Sequence, residues 1–179
     1  IGIKIGVENY TPPKNVYGVI ANPVCTEFSN IQGRSESKKD YKKGMFLVNH
    51  CIRIIKECKP TFWAIENPAR GDLHKFLGKP KLKYQPWEYG SPWTKETALW
   101  GEFNIPEKKY TNWEDVPKNN KLYIRPTRTK PSLAILHKSS KELIPEMEWA
   151  KHLINDDMSI RSWCSQGFAQ SFFNANSFT

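Results

Sequence analysis

Two side chains in this sequence have the type and setting for covalent chemistry. Cys25 lies in the run Asn22-Pro23-Val24-Cys25-Thr26-Glu27-Phe28-Ser29, and Glu66 closes the apolar run Phe62-Trp63-Ala64-Ile65. A thiolate is the strongest common side-chain nucleophile, and it works where it is partly exposed and near positive potential. A cysteine taken alone is more often a small buried thiol. A carboxylate directly after a buried run is costly to desolvate unless it pairs or does work. In a cleft it can accept and donate a proton, although taken alone it is more often an ordinary charge at a strand end. Asn67-Pro68 follows it and stiffens the loop.

The elements around these residues decide whether they can meet. Val16 to Ala21 is a short apolar, β-branched run and reads as a buried strand, broken by Asn22-Pro23. The segment from Asn22 to Gly33 is therefore expected as a loop at the strand's carboxyl end. Ser35 to Lys43 is polar and charged, a solvated loop or a helix start. From Met45 to Cys58 the residues Met45, Val48, Cys51, Ile52 and Ile55 recur at three- and four-residue intervals, which predicts an amphipathic helix ended by Lys59-Pro60. Phe62 to Ile65 reads as a second buried strand. Strand, helix, strand in this order is a parallel βαβ unit within an α/β fold. Such a unit puts the loops after both strands at one sheet edge, where open α/β sheets bind ligands. Cys25 and Glu66 are thus expected to face one cleft.

Farther along, Leu82 to Trp87 and Thr97 to Phe103 are strand-like, with Tyr89-Gly90-Ser91-Pro92 as the turn region of an antiparallel pair. Residues 104–160 are rich in Lys, Pro and Asn with weak periodicity, a small subdomain or an elaborated loop. Ser165 to Asn176 predicts a helix capped by Ser165, with Phe168, Ala169, Phe172 and Ala175 as its apolar side.

The composition narrows the partners. The chain of 179 residues holds 27 Lys and Arg against 18 Asp and Glu, a net charge of +9. Its pI is about 9.4. A basic surface favours polyanions, nucleic acid first. Seven Trp, seven Tyr and nine Phe are interleaved with the cations, which suits base stacking as well as a core. Within 108–128, the residues Lys108, Lys109, Lys118, Lys121, Arg125 and Arg128 lie among Tyr110, Trp113 and Tyr123, as DNA contacts or as a solvated basic loop with its aromatics tucked inward. No apolar stretch reaches the roughly 18 residues of a membrane span, and no signal peptide is visible. Cys25, Cys51, Cys58 and Cys164 form no CxxC pair and no zinc spacing, so no metal is expected. They read as buried or half-buried thiols of a reducing cytoplasm.

Taken together, these runs resemble a family. Val16 to Ser29 is similar to the nucleophile motif of DNA cytosine-5 methyltransferases, a strand followed by Pro-Cys and a Phe-Ser pair. Trp63 to Pro68 resembles its second catalytic motif, Glu-Asn after a strand. Tyr89 to Trp100 and Gly167 to Asn176 resemble the later motifs of a compact, phage-like branch. The resemblance covers most of residues 10–103 and 161–176. It departs at Val24, where the family has Pro, at a basic stretch thinned to Lys95, and at the Gly-rich loop for S-adenosylmethionine, which would fall before Ile1.

The resemblance implies a partial Rossmann-like methyltransferase sheet lacking its first strand–helix unit. Residues 1–103 would be the catalytic part, 104–160 a small irregular basic insert that contacts DNA, and 161–179 a helix returning to the catalytic part. It further implies Cys25 as nucleophile on cytosine carbon 6 and Glu66 as its partner at ring nitrogen 3. Substrate contacts would come from Ser29, Asn67, Lys95 and Thr97, with Asn67 more an orienter of the Glu66 loop. Cofactor contacts would come from Asn22, Pro23 and Gly167, with S-adenosylmethionine as donor. The expected partners are DNA and a missing N-terminal segment or partner chain, with no membrane, in the cytoplasm of a bacterial or phage-infected cell. Two other readings stay open. One is a DNA-binding remnant without methyl transfer. The other is an unrelated thiol enzyme, whose Cys would need a partner from His50, His74, His137 or His152.

Overall fold

The chain is seen here as a computed structural model that describes residues 5–30 and 39–177. It is an α/β protein with one four-stranded mixed sheet of order β1-β2-β4-β3. Strand β1 is Gly18–Ala21, β2 is Phe62–Pro68, β3 is Leu82–Tyr84 and β4 is Thr97–Glu102. β1 and β2 run parallel, with Ala21 opposite Ile65. They are joined through helix α1, Tyr41–Cys58. The βαβ unit expected from periodicity is therefore present.

Helix α1 starts four residues before the apolar pattern does. Asp40 caps it by accepting the Lys43 N–H at 2.9 Å, which satisfies a donor the helix cannot. It ends where Lys59 turns left-handed at φ 47° and donates its N–H to Ile55 O at 3.0 Å. A non-glycine residue there costs about 1–2 kcal/mol, and Pro60 blocks any continuation. The charged stretch before the helix lies outside the described residues at 35–38.

Two compact units make up the chain. One comprises Ile1–Lys83 with Thr97–Phe103, the other Tyr84–Glu96 with Asn104–Thr179. In the first, α1 buries Gly44, Val48, Ile55 and Cys58 against a core that includes Phe28, Ile65, Leu73, Ala98 and Trp100. Gly44 is required there, because a Cβ would sit 2.8 Å from the Phe28 ring.

Several expectations are corrected. β2 does not end at Ile65 but runs to Pro68, because β4 lies antiparallel beside it and pairs Glu66 with Leu99, Asn67 with Ala98 and Pro68 with Thr97. A partner strand distant in sequence extends the ladder past the break that Asn67-Pro68 signals. β3 is only Leu82–Tyr84, since Pro86 opens a 3-10 turn, Pro86–Tyr89. The residues 84–96 and the C-terminal segment, read from sequence as belonging with residues 1–103, fall in the second unit.

That second unit is built largely of 3-10 turns, over Leu133–Ile135, Lys138–Leu143 and Pro145–Leu153. Its core contains Trp93, Leu122, Leu133, Leu136, Met147 and Ile160. A 3-10 segment turns every three residues and leaves no 3.6-residue rhythm, which is why residues 104–160 showed only weak periodicity. Helices α3, Asp157–Arg161, and α4, Gln166–Asn176, complete it, and α2, His74–Leu77, lies in the first unit. Ser165 caps α4 as expected, accepting the Phe168 N–H at 3.3 Å. Phe168 and Phe172 are buried, but Ala169 is exposed and Asn176 takes its place inside. Asn176 can be buried because it bonds Asn104 in both directions, accepting its N–H at 2.7 Å and donating to its carbonyl at 3.0 Å.

Candidate active site

Glu66 and Cys25 are carried by neighbouring parallel strands, Glu66 inside β2 and Cys25 on the loop after β1. Ala21 closes β1 directly opposite Ile65, so the next residues of the two strands, Asn22 and Glu66, leave the pair side by side. Asn22 Nδ2 donates to Glu66 Oε2 at 3.1 Å in an exposed position. One residue on, Asn67 Nδ2 donates to the Pro23 carbonyl at 3.2 Å. Asn67 is 1% exposed, so this bond is made away from water and fixes the path of the loop before Cys25. Its Oδ1 has no hydrogen-bond partner among the described residues.

Cys25 is half-buried and sits at the head of a turn. Its carbonyl accepts the N–H groups of Phe28 at 2.9 Å and Ser29 at 2.8 Å. Phe28, fully buried, anchors the turn and lies against Tyr41 and Phe76 with ring centroids 6.3 and 6.0 Å away. Burying such a ring contributes roughly 1.5–3 kcal/mol. The far side of the turn is tied to the segment after β2. Phe28 O accepts the Asp72 N–H at 2.8 Å, and Asn30 Nδ2 donates to Arg70 O at 2.7 Å.

Lys39 closes this arrangement by reaching both Asn30 Oδ1 and Asp72 Oδ2. The Tyr41 hydroxyl donates to the same Asp72 oxygen at 2.9 Å. Desolvation alone would raise the Asp72 carboxyl. Lys39, Tyr41 and Lys75 outweigh it and hold the pKa down at about 2. Glu27, buried at 8% exposure, accepts the Asp40 N–H at 2.9 Å and joins the loop to the start of α1. Asn22, Lys39 and Asp72 as positioning groups were not visible in the sequence. Asp72 lies in an unremarkable polar run, and the only available signal was a short charged residue four positions past a Pro.

The other residues assigned by resemblance are distributed as follows. Ser29 is half-buried on the Cys25 turn. Thr97 is 2% exposed at the start of β4, opposite Pro68. Lys95 belongs to the second unit, where its Nζ donates to Trp163 O at 3.2 Å and its N–H to Gln85 Oε1 at 3.1 Å. Gly167 is also there, and a Cβ on it would lie 1.9 Å from Tyr89 O. Its missing side chain serves helix packing.

All four cysteines are thiols. Cys164 is exposed, against the expectation of burial, while Cys51 is half-buried and Cys58 buried. Burial pushes both of the latter thiols up from their ordinary pKa. His50, His74 and His137 have local partners. Arg53 Nε lies 3.5 Å from His50 Nδ1, His74 Nδ1 lies 2.9 Å from Gly71 O, and His137 Nδ1 lies 3.0 Å from Ser139 Oγ. Among the described residues no helix is long and apolar enough to cross a membrane. No protein-family model and no curated protein matches this chain.

Proposed function

We propose that this chain carries the catalytic centre of a DNA cytosine-5 methyltransferase on a Rossmann-like sheet, with Cys25 as nucleophile and Glu66 as its partner. The observation that carries this reading is the end of β1 beside the carboxyl-terminal half of β2. There Asn22 bonds Glu66 and Asn67 bonds Pro23, so that a half-buried thiol loop and a solvent-accessible carboxylate share one sheet edge.

The residue types fit the reaction. Cytosine carbon 5 is a poor nucleophile. When the Cys25 thiolate adds to carbon 6, the electron pair of the 5,6 double bond becomes available at carbon 5. Glu66 hydrogen-bonds ring nitrogen 3 and the exocyclic amine, and so stabilises the charge that develops on the ring. Carbon 5 then takes an electrophile. Loss of its original proton to a base re-forms the double bond and expels the thiolate. The base must leave the duplex to reach these groups.

S-adenosylmethionine supplies the methyl group in this reading. Asn22, Pro23 and Gly167 do not fit it as a grip. Asn22 is held by Glu66, Pro23 is buried with its carbonyl engaged by Asn67, and Gly167 is packed on Tyr89. The same observation favours a second reading, a DNA-binding protein of this fold without methyl transfer.

The thiol step can be tested without any donor. In water, reversible addition at carbon 6 lets carbon 5 gain a solvent proton and lose its own. Duplex DNA tritiated at cytosine carbon 5 is expected to release tritium when incubated with the chain. Cys25→Ser should reduce release to background, because a hydroxyl is hardly ionised at neutral pH. Glu66→Gln should slow it by about 10²-fold or more. Unchanged release in Cys25→Ser overturns the assignment. No release from the wild type, with DNA binding intact, supports the second reading instead.

A further inference from the structure

The second unit carries a feature that neither its core nor the proposed chemistry uses. Between Asp115 and Glu142 the sequence has no carboxylate, while Lys118, Lys121, Arg125, Arg128 and Lys130 all fall in that stretch. Leu122, 4% exposed, and Leu133, fully buried, are core residues at either side. Every residue from Tyr123 to Thr129 is exposed, and Pro131 is buried again. The chain thus leaves the core after Leu122 and returns to it at Pro131.

This excursion is stiff. At its tip the Arg128 N–H donates to Arg125 O at 2.8 Å, closing Arg125-Pro126-Thr127-Arg128 as a β-turn with Pro in the position that fits its fixed φ. At its base Lys130 Nζ lies 5.1 Å from the ring centroids of both Trp87 and Trp113, which meet edge-on at 6.3 Å. Lys118 Nζ lies 4.5 Å from the Trp113 centroid. These two lysines are spent on the loop's footing. The arginines are not. Among the described residues neither guanidinium is in an ion pair. Beside them Tyr123 is 57% and Ile124 42% exposed.

A rigid turn that presents two uncompensated guanidinium forks with an aromatic and a branched apolar side chain has the chemistry of base-edge recognition. Arginine meets the two acceptors of guanine with two parallel hydrogen bonds, and apolar groups meet the thymine methyl. Lysines, as point charges, serve phosphates without regard to sequence. We propose that the Arg125–Arg128 turn, with Tyr123 and Ile124, reads base edges in the major groove of duplex DNA and sets the sequence preference of this protein. The proposal rests on the DNA reading above and adds where specificity resides.

The test is selection of bound sequences from a randomised duplex pool, using the full chain. The wild type is expected to enrich a G-containing motif. The double variant Arg125→Lys/Arg128→Lys keeps the charge and, since both residues are exposed, should not disturb the fold. It should bind the pool within about threefold of wild type yet discriminate the motif at least about tenfold less, as loss of bidentate contacts requires. Lys121→Ala should weaken binding to all sequences alike. Retention of the wild-type motif by the double variant overturns the proposal, and so does wild-type binding with no preference or with preference for single strands. Failure of the wild type to bind duplex DNA at low salt overturns the DNA reading itself, and the proposal with it.

Discussion

Thiols in one chain differ in reactivity because their surroundings differ. Cys58 is buried and Cys51 half-buried, both with raised pKa from desolvation, so each holds its proton more tightly than an ordinary thiol. Cys164 is exposed, and Cys25 is half-buried on a turn. Alkylation followed by peptide mapping is therefore expected to label Cys164 and Cys25 first and Cys58 last. Labelling of Cys58 ahead of Cys25 would contradict the placement of these side chains. Asn67 gives the second residue-scale outcome. Its Nδ2 is the donor for the Pro23 carbonyl in a buried setting, so Asn67→Ala should cost about 1–3 kcal/mol, the price of an unsatisfied buried group. If the Pro23 bond also positions Cys25, carbon-5 tritium release should fall beyond what lower stability explains. The types and spacing of Cys25, Glu66 and Asn67 made these residues legible, because each follows an apolar run that ends abruptly. The Asn22–Glu66 bond was not legible. It depends on the register that sets Ala21 opposite Ile65, and register is a property of two strands together.

At the scale of elements, the Cys25 turn is held by Phe28 and by the Lys39–Asp72 pair. Phe28→Ala should destabilise the first unit by about 3–5 kcal/mol through the cavity it leaves. Gly44→Ala should also destabilise, because its methyl would strike the Phe28 ring. Both are read by thermal or urea unfolding. Asp72 and Glu146 give pH dependences of opposite sign. The folded Asp72 pKa of about 2 lies below its ordinary 3.8, so its stabilisation is present above 3.8 and is lost as pH falls toward 2. Asp72→Asn should flatten the stability profile across that window. Glu146 accepts from Ser91 Oγ at 2.9 Å and Trp163 Nε1 at 3.0 Å. Even so, burial pushes its carboxyl above the ordinary 4.5. Its contribution is therefore full below 4.5 and lost as pH rises through the folded value. Glu146→Gln should remove that loss and leave the second unit at least as stable at neutral pH, with denaturation followed by Trp fluorescence. The elements legible beforehand were α1 and α4, which have strong local rhythm, and β1 as a strand; β1 was expected buried from Val16, but it starts at Gly18 and, at the edge of the sheet, leaves Ile20 59% exposed. The extension of β2 and the 3-10 architecture of the second unit were hidden, the first by a distant partner strand and the second because 3-10 segments do not follow the 3.6-residue period of an α-helix.

On the scale of the whole molecule the governing quantity is charge. The excess of 27 cations over 18 anions gives +9, and no carboxylate interrupts the chain between Asp115 and Glu142. Several of these cations are already committed inside the protein. Lys39 and Lys75 pair with Asp72, Lys108 with Glu88, and Lys151 with Glu142 and Glu148. These pairs take four lysines and four carboxylates, so they leave the net charge at +9 while removing those four lysines from the cations that can meet phosphates. If about five phosphates are neutralised, counterion release sets the slope of log affinity against log salt near −0.9 per phosphate, or roughly −4.5. Affinity for a duplex should then fall by about 500-fold between about 50 and 200 mM salt. Fluorescence anisotropy on a labelled duplex across that range measures the slope directly. Lys121→Ala, which removes one exposed cation, should make the slope shallower by about one contact, or roughly 0.9. The charge-preserving Arg125→Lys/Arg128→Lys variant should leave the slope where it was. A slope near zero for the wild type would mean that the basic surface does not meet a polyanion, whatever the first unit can do at Cys25.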